Sequence, residues 1–172
     1  MILYEKNGVK LEVLDDCIVR KTFNRDITKN LNFEWLVKYN KLREWDPRYI
    51  EVYGVGSNYI DMAYVKNAIS MLDIFYTTEE VSKKYTQNEI KNFTVEYLDI
   101  IIKAQSYLNI SNKFTHTDLW FYNVLINEDN KLVIIDPDSC LSNPNYIKLL
   151  GSVGTSFNKT LSFYYNMLNN EN

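Results

Sequence analysis

From its first residues the chain sets short apolar runs between polar breaks, the pattern of strands. Ile2 to Lys6 and Val9 to Leu14 flank Asn7-Gly8, a dipeptide suited to the two positive-φ positions of a type I′ turn, so a β-hairpin is predicted there. A turn at Asp15-Asp16 leads into a third strand, Cys17 to Phe23. Alternation puts Cys17, Val19, Lys21 and Phe23 on one face of it, which makes Lys21 the single charge on an apolar face. The period changes at Leu31. Leu31, Trp35, Tyr39 and Leu42 recur at four and three, predicting a helix over Leu31 to Trp45 with that stripe buried. Glu34 falls on the flank of the stripe, able to look toward the sheet, and Glu44 points nearly opposite. Tyr49 to Tyr53 and Tyr59 to Val65 are two more strands. The Gly54-Val55-Gly56 between them precedes a strand and not a helix N-terminus, so it reads as a hairpin loop and not a phosphate cradle.

Residues 66–109 are helical in tendency, with Asn92 or Thr94 opening an apolar helix through Val95, Leu98, Ile101, Ile102 and Ala104. After Ser139 the pattern allows one loop and a helix through Leu161 to Leu168. Between these lies FTHTDLWFYNVLINEDNKLVIIDPDS, Phe114 to Ser139, in which two apolar strand-like runs, Val124 to Ile126 and Leu132 to Ile135, join through a tip at Asn127 to Asn130. Asp118, Asn123 and Asp136 each lie beside one of these buried runs, where an unpaired carboxylate is costly without a cation. A hard cation such as Mg²⁺ takes oxygen ligands, keeps several waters and is usually shared with substrate phosphates, a role that suits Asn123 and Asp136.

Composition narrows the field. The chain has 172 residues, room for one domain or for two small lobes. At 46% hydrophobic, 24% charged and net charge −3 it is that of a soluble globular protein, and its mild acidity argues against a nucleic-acid surface. No apolar run is long enough to span a bilayer, and the N-terminus MILYEKNG has neither a basic region nor a long apolar one, so a cytoplasmic protein without membrane attachment is expected. Abundant Asn, Lys, Ile and Tyr with little Ala suggest an AT-rich genome, viral (and then acting in host cytoplasm) or low-GC bacterial. Cys17 and Cys140 stand far apart with no CxxC or Cys/His grouping; zinc lacks ligands, and both are expected to be buried free thiols.

Three other readings of the central stretch lack something they need. His116-x-Asp118 begins a non-haem iron facial triad, which needs a second histidine, and His116 is the only one. Asp136-x-Asp138 after an apolar run is similar to a glycosyltransferase DxD or a haloacid-dehalogenase nucleophile loop, but either needs a doubly wound sheet for which too little chain follows.

His116-Thr-Asp118-Leu-Trp-Phe-Tyr-Asn123 resembles the catalytic loop HxDxxxxN of the protein-kinase-like superfamily, and Ile134-Ile-Asp136-Pro-Asp138 resembles the strand and metal-binding aspartate that follow it. In motif style the chain is most similar to the aminoglycoside and choline kinase type of small-molecule phosphotransferases. The resemblance implies an α+β, bilobal fold: residues 1–65 an N-lobe of five antiparallel strands with one helix, residues 66–172 a reduced helical C-lobe. It implies ATP and Mg²⁺ as cofactors and a hydroxyl-bearing substrate as partner, with Asp118 as catalytic base and Asn123 and Asp136 as metal ligands. His116 and Asp138 would be accessory, His116 tying the loop to the Asp136 turn. Val19-Arg-Lys21 resembles the strand whose lysine grips the nucleotide phosphates, and Glu34 stands where a helix glutamate pairs with it. Met62 would back the adenine pocket, with Ala63, Tyr64 and Val65 offering backbone hydrogen bonds to the base.

The departures are local. Asn7-Gly8 makes a tight turn where a glycine-rich flap is usual, Thr117 replaces the arginine of protein kinases, Pro137-Asp138 replaces Phe-Gly, and no APE-like motif follows. These favour a small-molecule acceptor over a protein Ser/Thr kinase, while the absent flap is what a silent pseudokinase or a viral binding module would show.

Overall fold

The computed structural model describes residues 1–76, 79–110, 114–142 and 146–169. The chain is mixed α/β with antiparallel sheets, and it divides into two compact units, Met1–Lys66 and Asn67–Asn172.

The first unit holds strands β1 (Ile2–Lys6), β2 (Val9–Val13) and β3 (Ile18–Phe23), helix α1 (Phe33–Trp45), and strands β4 (Val52–Val55) and β5 (Tyr59–Ala63). They form one antiparallel sheet in the order β1-β2-β3-β5-β4. The first turn is made as the dipeptide predicts, with φ 54° at Asn7 and 76° at Gly8. Gly8 has a second reason to lack a side chain: a Cβ there would run into the side chain of Asn24, whose backbone N–H donates to the Gly8 carbonyl. On β3 the buried positions are Val19, Lys21 and Phe23, and on β5 Ile60 and Met62. Arg20 and Asp61 take the other face as a bidentate pair, both bonds 2.7 Å, with the guanidinium 3.9 Å from the centre of the Tyr59 ring.

Helix α1 starts at Phe33 and not at Leu31, because Asn32 caps it by accepting from the Trp35 N–H at 3.1 Å; Leu31 is buried ahead of the helix. Trp35, Tyr39 and Leu42 are buried, with the Trp35 and Tyr39 rings stacked at 5.1 Å. The strand expected from Tyr49 begins at Val52. Tyr49 and Ile50 are instead held to α1, their carbonyls accepting from Arg43 Nε at 3.0 Å and from the Tyr39 hydroxyl at 2.7 Å. Cys17 also departs from expectation: it is exposed in the turn built by Asp15, while Cys140 is buried.

The second unit holds β6 (Ile69–Ser70), α2 (Met71–Tyr76), α3 (Glu79–Lys84), α4 (Gln87–Ile110), β7 (Phe114–His116), β8 (Val124–Ile126), β9 (Leu132–Ile134), β10 (Cys140–Ser142) and α5 (Tyr146–Asn169). Two small antiparallel sheets, β6-β8-β9 and β10-β7, frame the central stretch. The region expected to be helical thus contains a short strand, and α4 opens at Gln87, ahead of Asn92 and Thr94. Thr86 and Glu89 form a reciprocal capping box: the Thr86 N–H and hydroxyl donate to Glu89 Oε2, both at 2.8 Å, and the Glu89 N–H donates back at 3.3 Å. Thr94 is buried inside the helix, its hydroxyl on the Ile90 carbonyl. The buried face of α4 is Ile90, Phe93, Tyr97, Ile100, Ile101 and Ala104, while Val95 and Ile102 are exposed. The loop expected after Ser139 falls partly on residues 143–145, outside those described, and α5 starts well ahead of Leu161.

Candidate active site

Buried anchors hold the loop after β7 from below. The Leu119 side chain is fully buried and its carbonyl accepts from the Tyr97 hydroxyl of α4 at 2.7 Å. Phe121 packs between Phe75 and Tyr97, at 4.2 and 5.4 Å between ring centres, and Phe163 of α5 meets Phe75 edge-on at 4.7 Å. Leu119 and Phe121 are thus the hydrophobic pins of the stretch, which leaves Asp118 half-buried and Tyr122 exposed.

His116 is fully buried at the end of β7 and uses both ring nitrogens. The Asp118 N–H points to Nδ1 at 3.2 Å, so Nδ1 accepts and Nε2 carries the proton it donates to the Ile135 carbonyl at 3.0 Å. Burial pushes the imidazole pKa below its ordinary value, although the nearby carboxylates act the other way. The ring is neutral and links the strand before Asp118 to the residue before Asp136.

Asn123 closes the loop. Its Nδ2 donates to the Asp118 carbonyl at 2.8 Å and to Asp118 Oδ2 at 3.1 Å, which leaves Oδ1 as the atom it can offer to a cation. The Ile135 N–H donates to the Asn123 carbonyl at 2.9 Å, extending the β8–β9 ladder by one step, to the residue before Asp136. Asp136 is in the left-handed region, φ 64° and ψ 55°, and caps the 3₁₀ turn Pro137–Ser139. Its Oδ2 accepts from the Ser139 hydroxyl at 2.7 Å, and the Ser139 carbonyl accepts from both the N–H and the hydroxyl of Thr117, at 2.9 and 2.8 Å. Asp138 lies half-buried in the same turn. The neighbouring Cys140 thiol is pushed well up by burial, and then by the charges of Asp138 and Asp136.

The structure therefore brings Asp118 to Asn123 and bonds Asn123 to Ile135, the residue before Asp136. Three residues that sequence reasoning missed complete the arrangement. Thr117 and Ser139 tie the two loops together, and the β7–β10 pairing that joins them spans too much chain to be seen in a pattern. Tyr122, 49% exposed, donates its hydroxyl to Asp118 Oδ2 at 3.3 Å. Its spacing of four from Asp118 was visible, but a tyrosine there has no part in the motif.

Among the described residues no group of three or more His, Cys, Asp or Glu side chains is arranged to hold a metal. One carboxylate and one amide oxygen, from Asp136 and Asn123, suit a hard cation that draws the rest of its shell from phosphates and water.

In the first unit, Lys21 is 9% exposed, with its Nζ 5.4 Å from the centre of the Phe23 ring. Val19 and Met62 are cross-strand partners on that same buried face. The N–H groups of Ala63 and Tyr64 are already donated, to the Glu51 and Cys17 carbonyls. Glu34 does not look toward the sheet. It lies in the first turn of α1, about 100° of helical rotation from the buried Trp35, with a side chain 76% exposed and bonded to Lys38 at 2.7 Å. That bond lowers its pKa.

No family model matches the sequence, and no curated protein matches it. Among solved structures the chain is similar to the crystal structure of choline kinase LicA from Streptococcus pneumoniae, with 13% identity and a TM-score of 0.49, over 94% of this chain and 73% of that one. No helix among the described residues is long and apolar enough to cross a membrane.

Proposed function

We propose that this chain is an ATP-dependent phosphotransferase of the protein-kinase-like kind, moving the γ-phosphoryl group to a hydroxyl on a small molecule. The observation that carries the reading is the closed link from Asp118 to Asn123 to the Ile135-Asp136 step. It supports the reading because it ties together residues that the HxDxxxxN-like stretch and the aspartate after it name in sequence. Asp118, half-buried and held through Oδ2, orients the acceptor hydroxyl and takes its proton. Asn123 and Asp136 would hold Mg²⁺, which when bound supplies positive charge to the phosphates. Lys21 offers its cation to the nucleotide, Val19 and Met62 offer apolar contact to the base, and Val65 offers its N–H where those of Ala63 and Tyr64 are engaged. Glu34, turned outward onto Lys38, has no part in this set. Such chemistry is positioning and charge stabilisation, and it asks for no covalent intermediate.

The test is a melting curve with ATP, with and without Mg²⁺, paired with a measurement of ATP consumption. At ten times Kd, binding stabilises by about 1.4 kcal/mol, a rise of a few degrees. Asp118→Asn is expected to keep that rise and lose roughly a hundredfold or more in transfer. Asp136→Asn is expected to lose the Mg²⁺-dependent part of the rise. Ordinary turnover by both variants would sink the assignment.

One observation favours a second reading, that of a silent member that uses the fold to bind. The β1–β2 connection is the tight Asn7-Gly8 turn packed on Asn24, with no flap to close over phosphates. A melting temperature unmoved by millimolar ATP would decide for it.

A further inference from the structure

The carboxylate proposed as base already has a hydroxyl on it. Tyr122 Oη donates to Asp118 Oδ2 at 3.3 Å, the bond an acceptor hydroxyl must make before phosphoryl transfer. The other hydroxyls of the site are turned away: Thr117 Oγ1 to the Ser139 carbonyl, Ser139 Oγ to Asp136, and Tyr97 Oη to the Leu119 carbonyl. Among the described residues Tyr122 is the one hydroxyl seated on Asp118. Tyr122 is 49% exposed while its neighbours Phe121 and Asn123 are buried, so it stands outside the core that fixes them.

We infer that Tyr122 stands in for the acceptor and is a site of self-phosphorylation, used within one chain when no acceptor is bound. This rests on the phosphotransferase reading. In the step, Tyr122 Oη bonds to the γ-phosphorus of ATP, and the bond from that phosphorus to the β–γ bridging oxygen breaks. Its electron pair leaves with ADP, and the phenolic proton passes to Asp118. An incoming acceptor displaces Tyr122 from Oδ2, so a phosphorylated Tyr122 would bring two negative charges against Asp118 and close the site.

The experiment incubates the full chain with ATP and Mg²⁺, reads the intact mass and maps the phosphate by fragmentation. Expected is one phosphate, on Tyr122, gained at a rate independent of protein concentration. The label should be absent in Tyr122→Phe and reduced roughly a hundredfold or more in Asp118→Asn. Tyr122→Phe removes one hydroxyl from a half-exposed ring, and its melting curve checks that it folds. Mapping on the unaltered chain stands independently of either variant. Phosphate elsewhere, a rate that rises with protein concentration, or none at all while ATP·Mg²⁺ raises the melting temperature and is consumed, overturns the inference and leaves the phosphotransferase reading standing. No melting shift and no ATP consumption overturns both.

Discussion

His116 has one ring nitrogen accepting and the other donating, and a second proton would leave the Asp118 N–H facing a donor. Its consequence is a pH dependence of stability with a defined sign. Burial lowers the folded pKa below the unfolded value of about 6.5, so on acidification the unfolded chain binds a proton that the native one refuses. The contribution is therefore complete above about pH 6.5 and is lost below it, by up to about 1.4 kcal/mol per pH unit until the folded pKa is reached. Urea midpoints measured between about pH 5 and 7.5 should show this slope, and His116→Asn should flatten it while lowering stability throughout. The two thiols make a second residue-scale contrast. Cys17 is exposed, whereas Cys140 is fully buried with its thiol pushed up, so an alkylating reagent should modify Cys17 alone in the native protein and both in urea.

At the scale of elements, local chemistry decided most boundaries, and this is where the sequence could be read and where it misled. The Asn7-Gly8 hairpin was legible because its backbone demand is specific to that dipeptide. Gly8→Ala should cost about 1–2 kcal/mol from the left-handed backbone alone, and more from Asn24, as a chemical denaturation curve would show. Helix α4 was misplaced because apolar periodicity marks the middle of a helix and not its start. The start is set by Thr86 and Glu89, in a stretch with few apolar residues, and Thr86→Ala should cost about 1 kcal/mol by the same measurement. The apolar pattern marked the face only in part: Ile101 and Ala104 lie inside, but so do Thr94 and Tyr97, while Val95 and Ile102 lie outside. Tyrosines, counted as half polar in a pattern, do much of the packing here: Tyr39, Tyr49, Tyr97 and Tyr107 are all buried. Glu34 shows the same limit, because an angle on a helical wheel cannot tell a flank that faces a sheet from one that faces water and Lys38.

Over the whole molecule, the two units differ in how far the sequence revealed them. In the five-stranded sheet the β1–β2, β2–β3 and β4–β5 hairpins follow from alternation and turns, each of which is local, and only the β3–β5 pairing joins distant segments. The second unit depends on pairings between distant segments, β6 with β8 and β7 with β10, which no window of sequence contains. The site shares that division. Asp118, Asn123 and Asp136 could be named from a motif, while Thr117, Ser139 and Tyr122 emerge only once the loops are folded against each other. Asp136 carries a last consequence. Its left-handed backbone suits glycine best, and in Asp136→Gly the relief of strain, about 1 kcal/mol, roughly balances glycine's entropy and the lost Ser139 bond. Selection for folding alone would be indifferent between the two residues, so a library of variants sorted by melting temperature should return glycine at 136 as readily as aspartate. On the proposed phosphotransferase reading, sorting the same library by ATP turnover should return aspartate alone.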